Sequence, residues 1–392
     1  MRDVGGVVDF LEEYGLLRPP PSDGVGEPRV GEISADEEIV EVDWDAVKAP
    51  ESNLLQQSDF TVDELSIDGL LILEELGRVR NGDTGGLEGR AIENPWETCA
   101  WYSPIHYFGH NWGIYIKQEC LEQIASEIGW FGENLPRTAR TVRQLRIAAF
   151  YVLFLHEHFH HKVESFGIRL ALADRSAPDK YLRYDTDVYR RALGTDDLLE
   201  EALAGADAYG RLMSTPYATV LDSDVRTACR QWMSWHFEKV APPGYRMAQR
   251  FLTTDLLSHG TALLQTQVLE AQLNPVTNPA HWKAGPHMLR SMFSIVSDIY
   301  LVIPAGSKPR FPVSSRKFTV KVTDTRKWLT KVAGFTLVST SGDHEKYVRG
   351  GTHVTLDGTA RELSFTVERS VAHALGVSQR RLREAVSQGL SV

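Results

Sequence analysis

His156, Glu157 and His160 form an H-E-x-x-H step at the end of an apolar run, Ile147–Leu155. Residues four apart share a face of a helix, so the two imidazoles can meet at one metal ion. Glu157, one residue on, points towards the same place and can take a proton from a polarised water. No Pro or Gly interrupts residues 141–166, which predicts a single buried helix. Five polar residues crowd its end: His156, Glu157, His158, His160 and His161. They are costly to bury without partners, and a zinc ion is the simplest partner.

A catalytic zinc normally has three protein ligands and one open position. Residues 195–205 begin with residues suited to an N-cap, Thr195 first, and continue as a predicted helix. Glu201 shares a face of it with Leu198, Gly205 and Tyr209, while Ala204 and Gly205 permit a close approach of two helices. H-E-x-x-H completed by a glutamate on a downstream helix resembles the gluzincin metallopeptidases. The resemblance implies a mostly helical, zincin-like domain that hydrolyses a peptide bond. By it, Zn2+ is held by His156, His160 and Glu201, with Glu200 as the alternative third ligand, and Glu157 is the general base. The Asp or Asn that the family carries four residues after its glutamate is Gly205 here, so no carboxylate backs a ligand histidine from that position. Tyr245, in the rigid turn Pro242–Arg246, is the candidate oxyanion stabiliser, with His236 and His259 behind it. A strand at Ile114–Ile116 is expected to pair with an extended peptide substrate.

Other ligand sets fit less well. Glu164 lies eight residues after His156, about 12 Å along the axis. A di-iron bundle needs a second Glu-x-x-His, which the chain lacks. His106 and His110 have the right spacing, but Pro104 and Gly109 argue against a helix and favour aromatic-rich packing. His158 and His161 point away from the metal face, as solvent-facing groups or as groups backing the ligands.

The chain has 392 residues, 42% hydrophobic and 24% charged, enough for two or three domains. Residues 1–98 hold 24 acids against 7 bases, and 316–392 hold 13 bases against 7 acids, so a net −10 hides an acidic head and a basic tail. Composition divides the chain into an acidic region (1–95), an aromatic and apolar domain (96–303), which the resemblance makes the metallopeptidase domain, a Pro/Gly linker and a small domain (316–392), which holds the second motif. No apolar run approaches membrane length, and the N-terminus does not read as a secretory signal. Three cysteines without a C-x-x-C pair fit a reducing, cytoplasmic setting.

In the tail, a helix at 327–333 precedes Gly334-Phe335, then strands, the turn Gly342-Asp343-His344, further strands, and a helix from about Thr366. This pattern resembles the HicA-type domain of toxin–antitoxin systems, a small dsRBD-like α+β fold. The resemblance implies that His344 cleaves RNA, although Asp343 stands where the family has Ser. Binding RNA or a partner protein without cutting is the other reading of the same residues. The expected fold is therefore α+β, and the expected function a peptidase acting as a toxin or antiphage-defence effector. The alternative is an RNA-binding or RNA-cleaving protein with a structural metal.

Overall fold

The computed structural model describes residues 4–19, 36–48, 67–78, 85–93, 95–109, 112–276, 289–295, 298–314, 320–342, 344–361, 363, 365–377 and 379–391. His110 and Asp343 fall outside them. The fold is α+β, and its chain contacts divide it into two units: 21–102 with 113–313, and 1–20 with 103–112 and 314–392. This partition differs from one drawn on composition. The acidic first 95 residues are not one region, because Glu37–Glu41 form a strand of the larger unit while Val4–Glu13 form a helix of the smaller one. Among the described residues no helix is long and apolar enough to cross a membrane.

The larger unit is built on the helix Ala139–Ala173. Its 35 residues make it about 50 Å long. Thr138 caps it, the hydroxyl oxygen accepting from Thr141 N at 3.2 Å. The helices Gln118–Trp130 and Leu199–Arg211 pack most extensively on it. Arg146 clamps the first through Glu122, with both Nε and a terminal nitrogen donating to one carboxylate at 2.9 and 2.8 Å. Below His160 the core continues as Phe159, Val163, Phe166, Leu203, Ala204, Leu264 and Val268. Gly205 brings the second helix against the 3-10 turn Tyr245–Phe251: a Cβ there would stand 3.2 Å from Ala248 and from the Phe237 ring.

A four-stranded sheet flanks these helices in the order β1 (Glu37–Glu41), β4 (Ile299–Pro304), β3 (Gly113–Lys117), β2 (Ala100–Ser103). β1 runs antiparallel to β4, with Glu38 opposite Ile303, and β3 runs parallel to β4, with Ile114 opposite Ile299. The expectation for Ile114–Ile116 is therefore corrected. β3 is an inner strand whose hydrogen bonds go to β4, so it has no free edge for a peptide. Cys99 and Cys120 form a disulfide across 21 residues, and Cys229 is free and buried. That pairing removes the ground on which the cysteines suggested a reducing setting.

The smaller unit contains the helix Val4–Glu13, a short helix Ile105–Phe108 and the C-terminal segment. Arg18 N donates to the His106 carbonyl at 2.9 Å, and the His106 side chain is buried. The short helix forms despite Pro104, because that proline occupies the N-cap, where a helix makes no use of its missing N–H. The C-terminal segment runs helix (Val322–Lys331), β5 (Thr336–Ser341), β6 (His344–Arg349), β7 (Thr352–Asp357), then helices Phe365–Ala374 and Gln379–Gln388. Its strands form an antiparallel meander around a core of Trp328, Leu329, Phe335, Tyr347, Val354 and Leu356.

Gly205→Val should destabilise the larger unit by about 1–3 kcal/mol through overpacking. Urea unfolding checks this, and an unchanged midpoint would mean that the two elements are not in close contact.

Candidate metal centre

The H-E-x-x-H step sits halfway along the 35-residue helix. Its side chains face the start of Leu199–Arg211, and the side chains of His156 and Glu201 are each 1% exposed. Glu201 Oε2 lies 2.8 Å from His156 Nε2 and 3.4 Å from His160 Nε2, and the two Nε2 atoms are 3.3 Å apart. Donors about 2.05 Å from a tetrahedral ion stand about 3.3 Å from one another. The triangle therefore has the dimensions of three corners of such a site. The buried group His156, Glu157 and His160, with ligand atoms all within 4.8 Å of one another, could hold a metal ion. Glu201 brings one carboxylate oxygen within 3.4 Å of the Nε2 atoms of both imidazoles.

Groups behind the triangle fix its orientation. His160 Nδ1 donates to Glu200 Oε1 at 2.7 Å, which leaves Nε2 as the atom facing Glu201. Glu200 Oε2 accepts the Tyr184 hydroxyl at 2.7 Å, and Glu201 Oε1 accepts the Tyr189 hydroxyl at 2.5 Å. Five residues separate these tyrosines, a spacing that puts side chains about 140° apart on an ordinary helix. The π-turn Asp185–Tyr189 widens the helix and brings both to the glutamates. No sequence periodicity signals that turn. Glu200 thus supplies the backing carboxylate that the glycine at 205 seemed to leave missing.

The charges divide unevenly. Burial lowers the His156 pKa to about 4, against the pull of Glu201. Burial acts the same way on His160, yet Glu201 and Glu200 together hold it well above the usual imidazole range. Burial would raise Glu201, but His160 and His156 hold it well below the carboxylate range. Glu200 stays raised because burial outweighs its bonds to His160 and Tyr184.

Tyr245 lines the same cleft, its ring stacked 5.8 Å from the His156 ring and its hydroxyl donating to Glu97 at 2.7 Å. Burial, then Glu201 and Glu97, push its pKa well above 10. The turn that carries it is clamped by Asp196, which accepts from Gly244 N at 3.2 Å and from Arg246 at 2.9 and 2.6 Å. Gly244 has φ +88 and comes so close to Leu198 that a Cβ would stand 2.9 Å from the leucine Cβ. The stretch after Thr195 was expected to cap the glutamate helix. Instead the helix begins at Leu199, and Asp196 is spent on holding the Tyr245 turn. Trp96, on the short helix Pro95–Cys99, packs 5.1 Å from the His156 ring and, with Ala100 and Trp101, walls the cleft. About 30 Å³ remains open in it, room for an ion and a water.

The other candidates lie elsewhere. His236 is fully buried against Trp96 with neither ring nitrogen hydrogen-bonded, and burial lowers its pKa to about 3. His259 is exposed on the helix Thr254–Glu270 and does not line the cleft. Glu164 faces away and accepts the Tyr102 hydroxyl, which also bonds His161 at 2.9 Å. His158 bonds Ser291 at 2.5 Å and Arg211 at 3.2 Å. The solvent-facing reading of His158 and His161 is therefore corrected: both are bonded on the far side of the helix, His161 fully buried. His106 belongs to the other unit. His344 lies there too, exposed at the start of β6, opposite Ser341 and Asp357.

No protein-family model, curated protein or solved structure matches this chain. Glu200→Gln should weaken metal binding about 10–100-fold by removing the carboxylate behind His160. Titration against a chromophoric chelator measures this, and an unchanged affinity would detach Glu200 from the site.

Proposed function

We propose that this chain is a zinc-dependent hydrolase that cleaves peptide bonds, with His156, His160 and Glu201 as the metal's protein ligands. One observation carries the reading: two imidazole nitrogens and a carboxylate oxygen converge in a buried triangle with edges of 2.8, 3.3 and 3.4 Å. Imidazole with carboxylate suits zinc, and no thiolate is near. Bound there, a zinc ion supplies Lewis acidity, which acidifies water and polarises a carbonyl.

The chain's own residues do the rest. Glu157, 4% exposed and within 4.8 Å of the imidazoles, takes a proton from the attacking water and returns it to the leaving amine nitrogen. The amide C–N bond breaks as the C–O bond forms, giving a carboxylate and an amine. Tyr245 turns its hydroxyl from Glu97 towards the developing oxyanion. Glu200 and Tyr184 hold His160, Tyr189 holds Glu201, and Trp96 keeps bulk water from the ligand histidine. The resemblance of the C-terminal segment to toxin-type RNA domains extends the proposal to a toxin or antiphage-defence effector.

A second reading gives the chemistry to the tail. The exposed His344, beside Ser341 and Asp357 on a meander flanked by helices, is the observation in its favour. Under it the protein binds or cuts RNA, and the metal is structural.

Purified protein should carry about one zinc per chain. Glu157→Gln should keep that metal and lose about 10²–10⁴ of hydrolysis on a peptide library. His344→Ala should leave hydrolysis intact. Metal-free protein, full activity in Glu157→Gln, or activity abolished by His344→Ala alone would each overturn the peptidase reading.

A further inference from the structure

A second concave site lies in the larger unit among the helices Gln118–Trp130, Leu199–Arg211 and Ser223–Lys239. Thr227, Arg230, Gln231 and Ser234 line it. Their spacing of i, i+3, i+4 and i+7 makes them one face of a helix whose other side buries Ala228, Cys229, Trp232 and Met233. Trp130, Phe131 and Tyr209 complete the lining, and the Arg78 and Arg90 guanidiniums lie over the Trp130 ring, 5.7 and 6.0 Å from its centroid. The groove encloses about 630 Å³, the size of a small-molecule pocket and far larger than the metal cleft.

Arg230 is the unusual member. Its guanidinium lies over the Tyr209 ring, 4.1 Å from the centroid, and its Nε is buried with no hydrogen-bond partner. Among the described residues no carboxylate pairs with it. The guanidiniums of Arg146, Arg211 and Arg246, by contrast, are each hydrogen-bonded to a side chain. An unmatched buried donor is costly, the more so on a charged group, so an incoming acceptor restores what folding leaves unsatisfied. Stacking on Tyr209 holds the planar fork ready for a two-oxygen acceptor. Glu133 also borders the groove, but it is exposed and has an interaction of its own.

We propose that this groove binds a small planar aromatic anion, its carboxylate or sulfonate on Arg230 and its flat body against the aromatic lining. The inference uses no residue of the metal centre. Its test is a fluorescence titration with 1-anilinonaphthalene-8-sulfonate and with its uncharged relative N-phenyl-1-naphthylamine. The anionic dye should bind one saturable site, at least tenfold more tightly than the neutral one. Arg230→Met should abolish that preference while leaving neutral-dye binding within twofold. Thr227→Trp, at an exposed position that tolerates a larger side chain, should fill the groove and remove both signals. Absence of a saturable site, equal affinity for the two dyes, or anionic-dye binding unchanged in either variant would overturn the proposal.

Discussion

Five ionisable side chains, His156, Glu157, His160, Glu200 and Glu201, are buried between two packed helices, and burial of that kind survives only if each charge has a counterpart. The architecture around them reads as a set of answers to that constraint. The long helix supplies the imidazoles in a fixed register, and the second helix presents its two adjacent glutamates to them. Ala204 packs in the core with Phe159 and Val163 of the long helix, while Gly205 lets Ala248 and the Phe237 ring close on the other side of the glutamate helix. Tyrosine hydroxyls from the π-turn take up the remaining carboxylate oxygens, so both glutamates are held at two points.

The same arrangement separates the roles of two neighbours on one helix. Glu200 and Glu201 are consecutive, so they diverge by about 100° and cannot both face one point. One meets the Nε2 atoms and the other reaches round to the Nδ1 of His160. An imidazole oriented through its far nitrogen offers the near one as a donor without searching for a tautomer. His156 has no such support, since its Nδ1 is buried without a partner. Trp96 packs beside that ring and holds it by shape alone.

What was legible in the sequence was local. The H-E-x-x-H spacing, the unbroken apolar run and the small residues after Glu201 all follow from helix periodicity, and they located the long helix and the facing glutamates. The residues that periodicity cannot reach were missed. Tyr184 and Tyr189 depend on a π-turn, and Glu97 comes from a five-residue helix. β3 looked like an edge because its partner β4 follows more than 180 residues later, and Cys99 and Cys120 sit in no recognisable motif. The start of the glutamate helix was misread because Thr195 and Asp196 have the chemistry of a cap but use it elsewhere: Thr195 on Ala192 and Asp197 of its own turn, Asp196 on the turn that carries Tyr245. In the tail, a helix followed by three strands and a helix was legible, while the final helix, Gln379–Gln388, was not anticipated.

X-ray absorption at the zinc edge of the purified, zinc-loaded protein tests the central claim most directly. The account predicts nitrogen and oxygen donors only, at about 2.0–2.1 Å, with the outer-shell scattering of two imidazoles and a loss of order when Glu201 is replaced by Ala. Sulfur at about 2.3 Å, a single imidazole, or a spectrum indifferent to Glu201→Ala would contradict it.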